Sequence, residues 1–409
     1  MYQFSLKKKL IFAFVGAGLV PMALINFVSY TKAKKELQEA SLSKVEALSE
    51  IKEQEIKGYF DMQENLVKGF AVNPNVREGL HRMSKSFYTI ESEAKGEAPR
   101  VASSLESYYT GDFAKAYKEK SDGGSVDPSS LFGQLDNPAR WAQFSFISQN
   151  PSALGSKHEM VSSPIKTTYA HDHEELHPFF KSELERYGFY DIFLVTPDAG
   201  RVVYTVFKEL DFGTSLTRGA YANTGLGRAF QAAKKLKEGK VWFEDYALYT
   251  PSYEAPASFL SAPVYEHGEL IGVFIVQIPL EHVSGVVSKR AGLGKGGESY
   301  VVGTDDGMLR TDTFRNKDSY SVMNSFRHPE KFSLKTEALN KSRTGAQGVE
   351  LSHTYDGTSV VGAYNVVEVL GRKWTLFVEI PEDEAFAGLL NLNHLLLGIV
   401  SVATLLIGL

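Results

Sequence analysis

The sequence predicts an α+β fold: a long N-terminal helix and two tandem, related α+β units, flanked by two membrane-spanning helices. Three observations predict it. Each end of the chain carries a run without a charged residue, Leu10 to Ser29 and Phe386 to Leu409. Behind the first run, apolar residues recur at three- and four-residue steps over about forty residues. From residue 189 onward, strand and turn signals appear twice in the same order.

Composition sets the bounds. A chain of 409 residues has room for about two or three domains. Apolar residues make up 43% of it, enough for real cores, and 20 Tyr and 26 Phe suit both cores and ligand pockets. The net charge of −5 is spread along the chain and leaves no basic nucleic-acid footprint. The absence of cysteine excludes disulfides and thiolate metal sites.

Residues 1–9 form a short tail, and 10–30 the first expected span. LIFAFVGAGLVPMALINFVS is twenty residues long, the length needed to cross about 30 Å of hydrocarbon. A cleaved signal peptide is the alternative, but the run is long for one and no small-x-small cleavage site follows. Residues 386–409 form the second span, against the alternative of a buried core helix. Lys7, Lys8 and Lys9 precede the first span and Lys32, Lys34 and Lys35 follow it, so the positive-inside rule is nearly balanced. A short tail stays inside while a long polar region is exported. That places 31–385 in the periplasm or outside the cell, on a protein of the inner (plasma) membrane. No basic stop-transfer residues or cytoplasmic domain follow the second span, so the chain is expected to be a piece of a longer protein.

Residues 31–185 open with the long helix. Leu37, Leu42, Val45, Leu48, Ile51, Ile56, Tyr59, Phe60, Gln63, Leu66, Val67 and Phe70 trace its apolar face. Forty residues make a rod of roughly 60 Å, a spine and the seam of an expected homodimer. Pro74 should interrupt it. Helices and loops fill the rest. His171, His173 and His177 invite a metal reading, but there is no HExxH pattern and Pro178 follows directly. Solvated or helix-start histidines are the plainer account.

Residues 186–289 and 290–385 are the two units. In the first, FYDIFLVTPDAGRVVYTVF reads as strand, turn, strand, ANTGLGRAFQAAKKLKEG as a helix, and the stretch from Lys240 to Val287 as three strands with a tight turn at His267-Gly268. The second repeats the plan. Thr196 to Gly200 answers to Thr304 to Gly307, offset by 107 or 108 residues, and VQIPLE to VEIPED, offset by 102. This is a duplication of one five-stranded unit rather than a solenoid repeat.

Catalytic patterns are poor. GLGKGGES lacks the phosphate-loop spacing, no GxSxG is present, and Glu244-Asp245 and Asp305-Asp306 read as turn or surface pairs. No enzyme activity and no cofactor are expected. Ligand contacts are expected in the first unit, at Tyr204, Lys208, Asp211, Asp245, Tyr246, Tyr249, Tyr253 and Gln277. Lys208, Glu209 and Asp211 interrupt an otherwise apolar segment, and the tyrosines supply apolar walls with polar tips. Gln277 shares a strand face with Val273 and Ile275. A buried amide there needs partners from a ligand or from the protein itself. The alternative for each residue is ordinary packing.

FYDIFLVTPDAGRVVYT, APVYEHGELIGVFIVQIPLE, GLGKGGESYVVGTDDGMLRTD and GAYNVVEVLGRKWTLFVEIPEDEAF, in that order, resemble the double Cache family. These are PAS-like extracytoplasmic sensors of chemotaxis receptors, histidine kinases and some cyclases. The likeness spans about 31–385, and RYGFYDIFLV, VFKELDFGTSL and APASFLSAPV look most like methyl-accepting chemotaxis proteins. The resemblance implies a membrane-distal unit that binds a small ligand (186–289) and a membrane-proximal unit that relays (290–385). It also implies signal transduction through the second span to cytoplasmic chemotaxis proteins. Members that bind amino acids use Arg-x-Trp-Tyr and an Asp on the last distal strand. Here Arg140-Trp141 precedes the unit and runs into Ala142, and Gln277 stands where the Asp would align. The sequence therefore argues against an α-amino acid held in that way. The rival outputs are a histidine kinase or a nucleotide cyclase. Rivals of another class are a membrane-tethered metallohydrolase using the histidines and a passive adhesion or scaffold protein.

Overall fold

The computed structural model describes every residue except 1–5, 7, 8, 10, 11, 14, 122, 125 and 409. Helix α1, Val20–Ala71, runs for 52 residues. Its buried positions Ser41, Val45, Ser49, Lys52, Ile56, Phe60, Gln63, Val67 and Phe70 keep the three- and four-residue steps. The expected face is rotated in part: Ile51 is exposed, while Lys52 is buried. The ammonium of Lys52 donates to the carbonyls of Val287 and Lys289, at 2.7 Å each. The helix stops at Ala71, three residues before Pro74, the first residue of α2, Pro74–Ser86, where the Asn73 side chain accepts from the Asn75 amide.

Short helices, among them Ala98–Tyr108 and Asn137–Gln143, lead to α3, Thr168–Tyr187. Gly188 ends α3 in the left-handed region, φ 68°, and turns the chain into the first strand. Strands β1, Asp191–Val195, and β2, Val202–Thr205, are followed by α4, Gly225–Ala233. Then come β3, Trp242–Tyr249, β4, Ala255–Glu266, and β5, Glu269–Ile278. They make one antiparallel sheet in the order β2-β1-β5-β4-β3. One face carries Leu194 and Phe274 toward α1 and α2; Phe70 of α1 stacks on Phe274 at 5.2 Å. The other face carries Phe193 and Phe259 toward α4 and the helical cap.

Helix α5, Leu280–Val287, leads into β6, Glu298–Gly303. Then follow α6, Glu337–Arg343, and β7, Gly348–His353, β8, Ser359–Val369, and β9, Arg372–Pro381, paired in the order β6-β9-β8-β7. The expected five-stranded repeat is shortened here. The second strand is reduced to a single bridge between Val302 and Leu309. Arg310, which would continue it, turns to the first unit instead, with its guanidinium on Asp245 and Asp306.

Helix α7, Ala387–Gly408, closes the chain and packs beside α1. Among the described residues no helix is long and apolar enough to cross a membrane. Leu10, Ile11 and Phe14 of the first expected span, and most of the 1–9 tail, lie outside the described residues. What is described at both ends is helix with apolar side chains open to the surroundings, including Leu24, Phe27, Leu395 and Leu405.

Candidate ligand-binding site

The site grows from the cap-facing side of the first sheet. Asp191 opens β1 and lies directly across from Gln277 of β5, which in turn faces Phe259 of β4. All three are buried. The Oδ1 atom of Asp191 accepts from the amides of Ile192, Val206 and Phe207, at 2.7, 2.8 and 3.1 Å. One carboxylate thus fixes the end of β2. Beyond it, Lys208 is buried with φ 58°, a conformation that is uncommon for a residue with a Cβ. Its ammonium donates to the Thr205 carbonyl and sits 4.4 Å from the Tyr204 ring centroid.

Two more carboxyl groups complete the cluster. Glu209 accepts from the Tyr190 hydroxyl at 3.1 Å. Asp211 accepts from the Tyr249 hydroxyl at 2.5 Å. Burial pushes Asp211 up to about 6. It raises Asp191 and Glu209 as well, with Asp211 adding repulsion to both, and it lowers the Lys208 ammonium. Among the described residues, three buried acceptor atoms here have no donor: Asp191 Oδ2, Asp211 Oδ1 and Gln277 Oε1. The Gln277 amide nitrogen already donates to Ser252 at 3.4 Å.

The cap holds the loop from above. Gln143 donates to the carbonyls of Leu210 and Phe212 and accepts from Tyr109. Tyr253 stacks on Phe113 at 6.0 Å. Tyr108, Phe113, Lys157, Phe207, Lys208 and Tyr253 enclose a cavity of about 20 Å³. That is space for about one water, too little for a solute unless these side chains move; Lys208 and Glu209 of the cluster line it, and Asp191, Asp211 and Gln277 lie outside its lining.

Of the eight residues the sequence singled out, Lys208, Asp211, Tyr249, Tyr253 and Gln277 lie in or beside this cluster. Tyr204 supports it from below: its hydroxyl meets Nδ1 of His177 at 2.7 Å, while His177 Nε2 donates to the His158 carbonyl. His177 is pushed down to about 3, by burial first and then by Lys208, so it is a neutral packing residue. His173 stacks on it at 4.4 Å, whereas His171 is exposed. Asp245 and Tyr246 go elsewhere. Asp245 binds Arg310 and the Trp374 indole, and Tyr246 stacks on Trp374, in a clasp between the two sheets. The bulge in β3 between Glu244 and Ala247 turns this pair away from the cavity.

Sequence reasoning missed Asp191, Tyr190 and the cap residues Tyr108, Phe113, Gln143 and Lys157. A lone carboxylate at the head of the apolar run DIFLV was the available signal for Asp191. Nothing local marks the cap residues, which reach the site only through the tertiary fold.

The model of the Cache domain family matches residues 30–389. No curated protein matches the chain. Solved structures similar to it include the ligand-binding domain of the Pseudomonas fluorescens chemoreceptor CtaA in complex with L-leucine. That structure is 13% identical with a TM-score of 0.30, covering 48% of this chain and 73% of that one. The periplasmic sensory domain of the Campylobacter jejuni chemoreceptor Tlp1 is 13% identical with a TM-score of 0.35, covering 75% of this chain and 95% of that one.

Proposed function

Because the chain belongs to the Cache domain family, we propose that it is the sensory region of a bacterial transmembrane chemoreceptor that binds a small cationic solute in its membrane-distal unit, 186–289. The proximal unit, 290–385, relays the signal, and the apolar segments 10–30 and 386–409 anchor the chain. The receptor works as a homodimer, with 31–385 outside the cytoplasm and chemotaxis signalling proteins receiving the output.

One observation carries the ligand class: the buried acceptors Asp191 Oδ2, Asp211 Oδ1 and Gln277 Oε1, to which no group among the described residues donates in good geometry. An ammonium offers three donors and no acceptor. It would satisfy such a set while supplying the positive charge that Lys208 alone does not. The aromatic walls suit a cation as well. The exposed apolar side chains of α1 and α7 support the anchoring, since a soluble surface seldom presents such a patch.

Thermal-shift measurements on the full chain in detergent test this, with methylammonium, putrescine and agmatine as probes. A bound amine at a hundred times its Kd should add about 2.7 kcal/mol of stability, and the Asp191→Asn/Asp211→Asn double variant should lose that gain. Silence from all three probes, or a gain that survives in the double variant, would overturn the cation reading.

A further inference from the structure

We propose that the proximal unit carries a second, separate ligand site, which takes a small organic anion. A cleft of about 640 Å³ opens between the Lys331–Glu337 segment, the start of α6 and the outer edge of β7. That is the size of a small-molecule site rather than of a hydration gap. Its place in the unit is the equivalent of the distal site. The distal cavity is lined by the turn after β3, with Pro251 and Tyr253, and the proximal cleft by the turn after β7, with Thr354 and Tyr355. In the distal unit the cap residues Tyr108, Phe113 and Lys157 close the cavity. Among the described residues nothing covers the proximal cleft in that way, so it stands open.

The charge balance gives the ligand class. Both acidic side chains that line the cleft are occupied by one lysine: Lys341 meets Glu350 at 2.8 Å and Glu337 at 3.1 Å. Lys331 and Lys335 face the same space, exposed, with no carboxylate partner among the described residues. Two ammonium groups without a carboxylate among the described residues, lining a cleft that also carries two aromatic rings, fit a carboxylate on an organic body. The rings are Tyr320 and Tyr355, their centroids 4.5 Å apart.

Tyr355 is wired to the relay strands. The Tyr355 hydroxyl donates to Glu298 Oε1 at 2.9 Å, and Glu298 of β6 lies directly across from Glu379 of β9. Arg315 sits between the two carboxylates, 2.8 Å from Glu298 and 3.5 Å from Glu379. An anion seated on Tyr355 therefore presses on the strand that leads into α7, independently of the distal site.

Isothermal titration of the full chain in detergent tests the site, with succinate and benzoate as probes and inorganic phosphate as the control. At least one carboxylate should bind saturably, one per chain. The Lys331→Glu/Lys335→Glu double variant should weaken it tenfold or more, with the unfolding midpoint unchanged because both side chains are exposed and unpaired. The Asp191→Asn/Asp211→Asn variant should bind it normally, which separates this site from the distal one. Three results overturn the proposal: no saturable binding of either carboxylate, an affinity untouched by the charge reversal, or phosphate binding as tightly as both carboxylates, which would mark a mere field of charge.

Discussion

Asp211 is the residue on which the distal site is most sensitive. Its carboxyl is fully buried, one oxygen holds the Tyr249 hydroxyl, and the other has no donor among the described residues. Tyr249→Phe removes the side-chain hydrogen bond to that carboxyl and should destabilise the apo chain by about 1–3 kcal/mol in urea unfolding. The pH dependence follows from the same burial. The folded form holds its proton up to about 6 against an ordinary 3.8. Folding stability from this group is therefore complete below the ordinary value and is lost as pH rises through about 6. Asp191 and Glu209 act in the same sense; Lys208, lowered by burial, acts against them. Denaturation at pH 4 and pH 7.5 without ligand should show Asp211→Asn losing less stability than the parent, by up to about 3 kcal/mol. A variant with the parent's slope would mean that Asp211 is not protonated in the closed site. Lys208, Asp211 and Gln277 were legible in the sequence because a polar residue inside an apolar strand or loop announces a burial problem. Asp245 and Tyr246 sit in the same kind of local pattern and were misplaced, because one bulge in β3 redirects them and no local rule predicts a bulge.

At the scale of elements, strands and long helices were readable wherever period and turn chemistry agreed. The His267-Gly268 hairpin, the stop before Pro74 and the strands that carry VQIPL and VEIPE all stand where their patterns put them. The exceptions share one cause, a tertiary contact that outweighs local preference. Lys52 displaces Ile51 from the buried face of α1 because two carbonyls at the end of α5 need a donor. The strand expected at Met308–Asp312 yields to the clasp of Arg310 with Asp245 and Asp306. That clasp ties β3 of one sheet to the other unit, with Arg372 adding a contact to Glu244 at 3.3 Å. Removing Asp245 leaves the buried Arg310 guanidinium on Asp306 alone and takes the acceptor from the Trp374 indole. Asp245→Ala should therefore cost about 1–3 kcal/mol by chemical unfolding, while Asp198→Ala, in the exposed β1–β2 turn, should stay within about 0.5 kcal/mol. Equal effects would show that the clasp adds nothing to the joint between units.

The whole molecule is two sheets hung on one helix. α1 packs against β4 and β5 of the first sheet and against β8 and β9 of the second. Its Phe60 touches both Phe243 of β3 and Trp374 of β9, with centroids 5.4 and 5.2 Å away. A rigid element shared in this way keeps the two units in register. The part free to report a change is then the far end of β9, where only Glu382–Ala385 and Phe386 separate Pro381 from α7. A ligand can bias that end only through different affinity for two arrangements of it, and a short stiff connection passes the bias on where a slack one dissipates it. The chain has no cysteine, so a single introduced pair reads the movement. Gly388 lies against Leu37 of α1, and a Cβ at that position would stand 3.8 Å from the Leu37 side chain. In a Leu37→Cys/Gly388→Cys variant, putrescine should change the rate of disulfide formation. A Gly/Ser insertion after Asp383 should leave amine binding intact and abolish that change. A rate that ignores the amine in the uninterrupted chain, or still responds to it through the insertion, means that β9 does not drive α7.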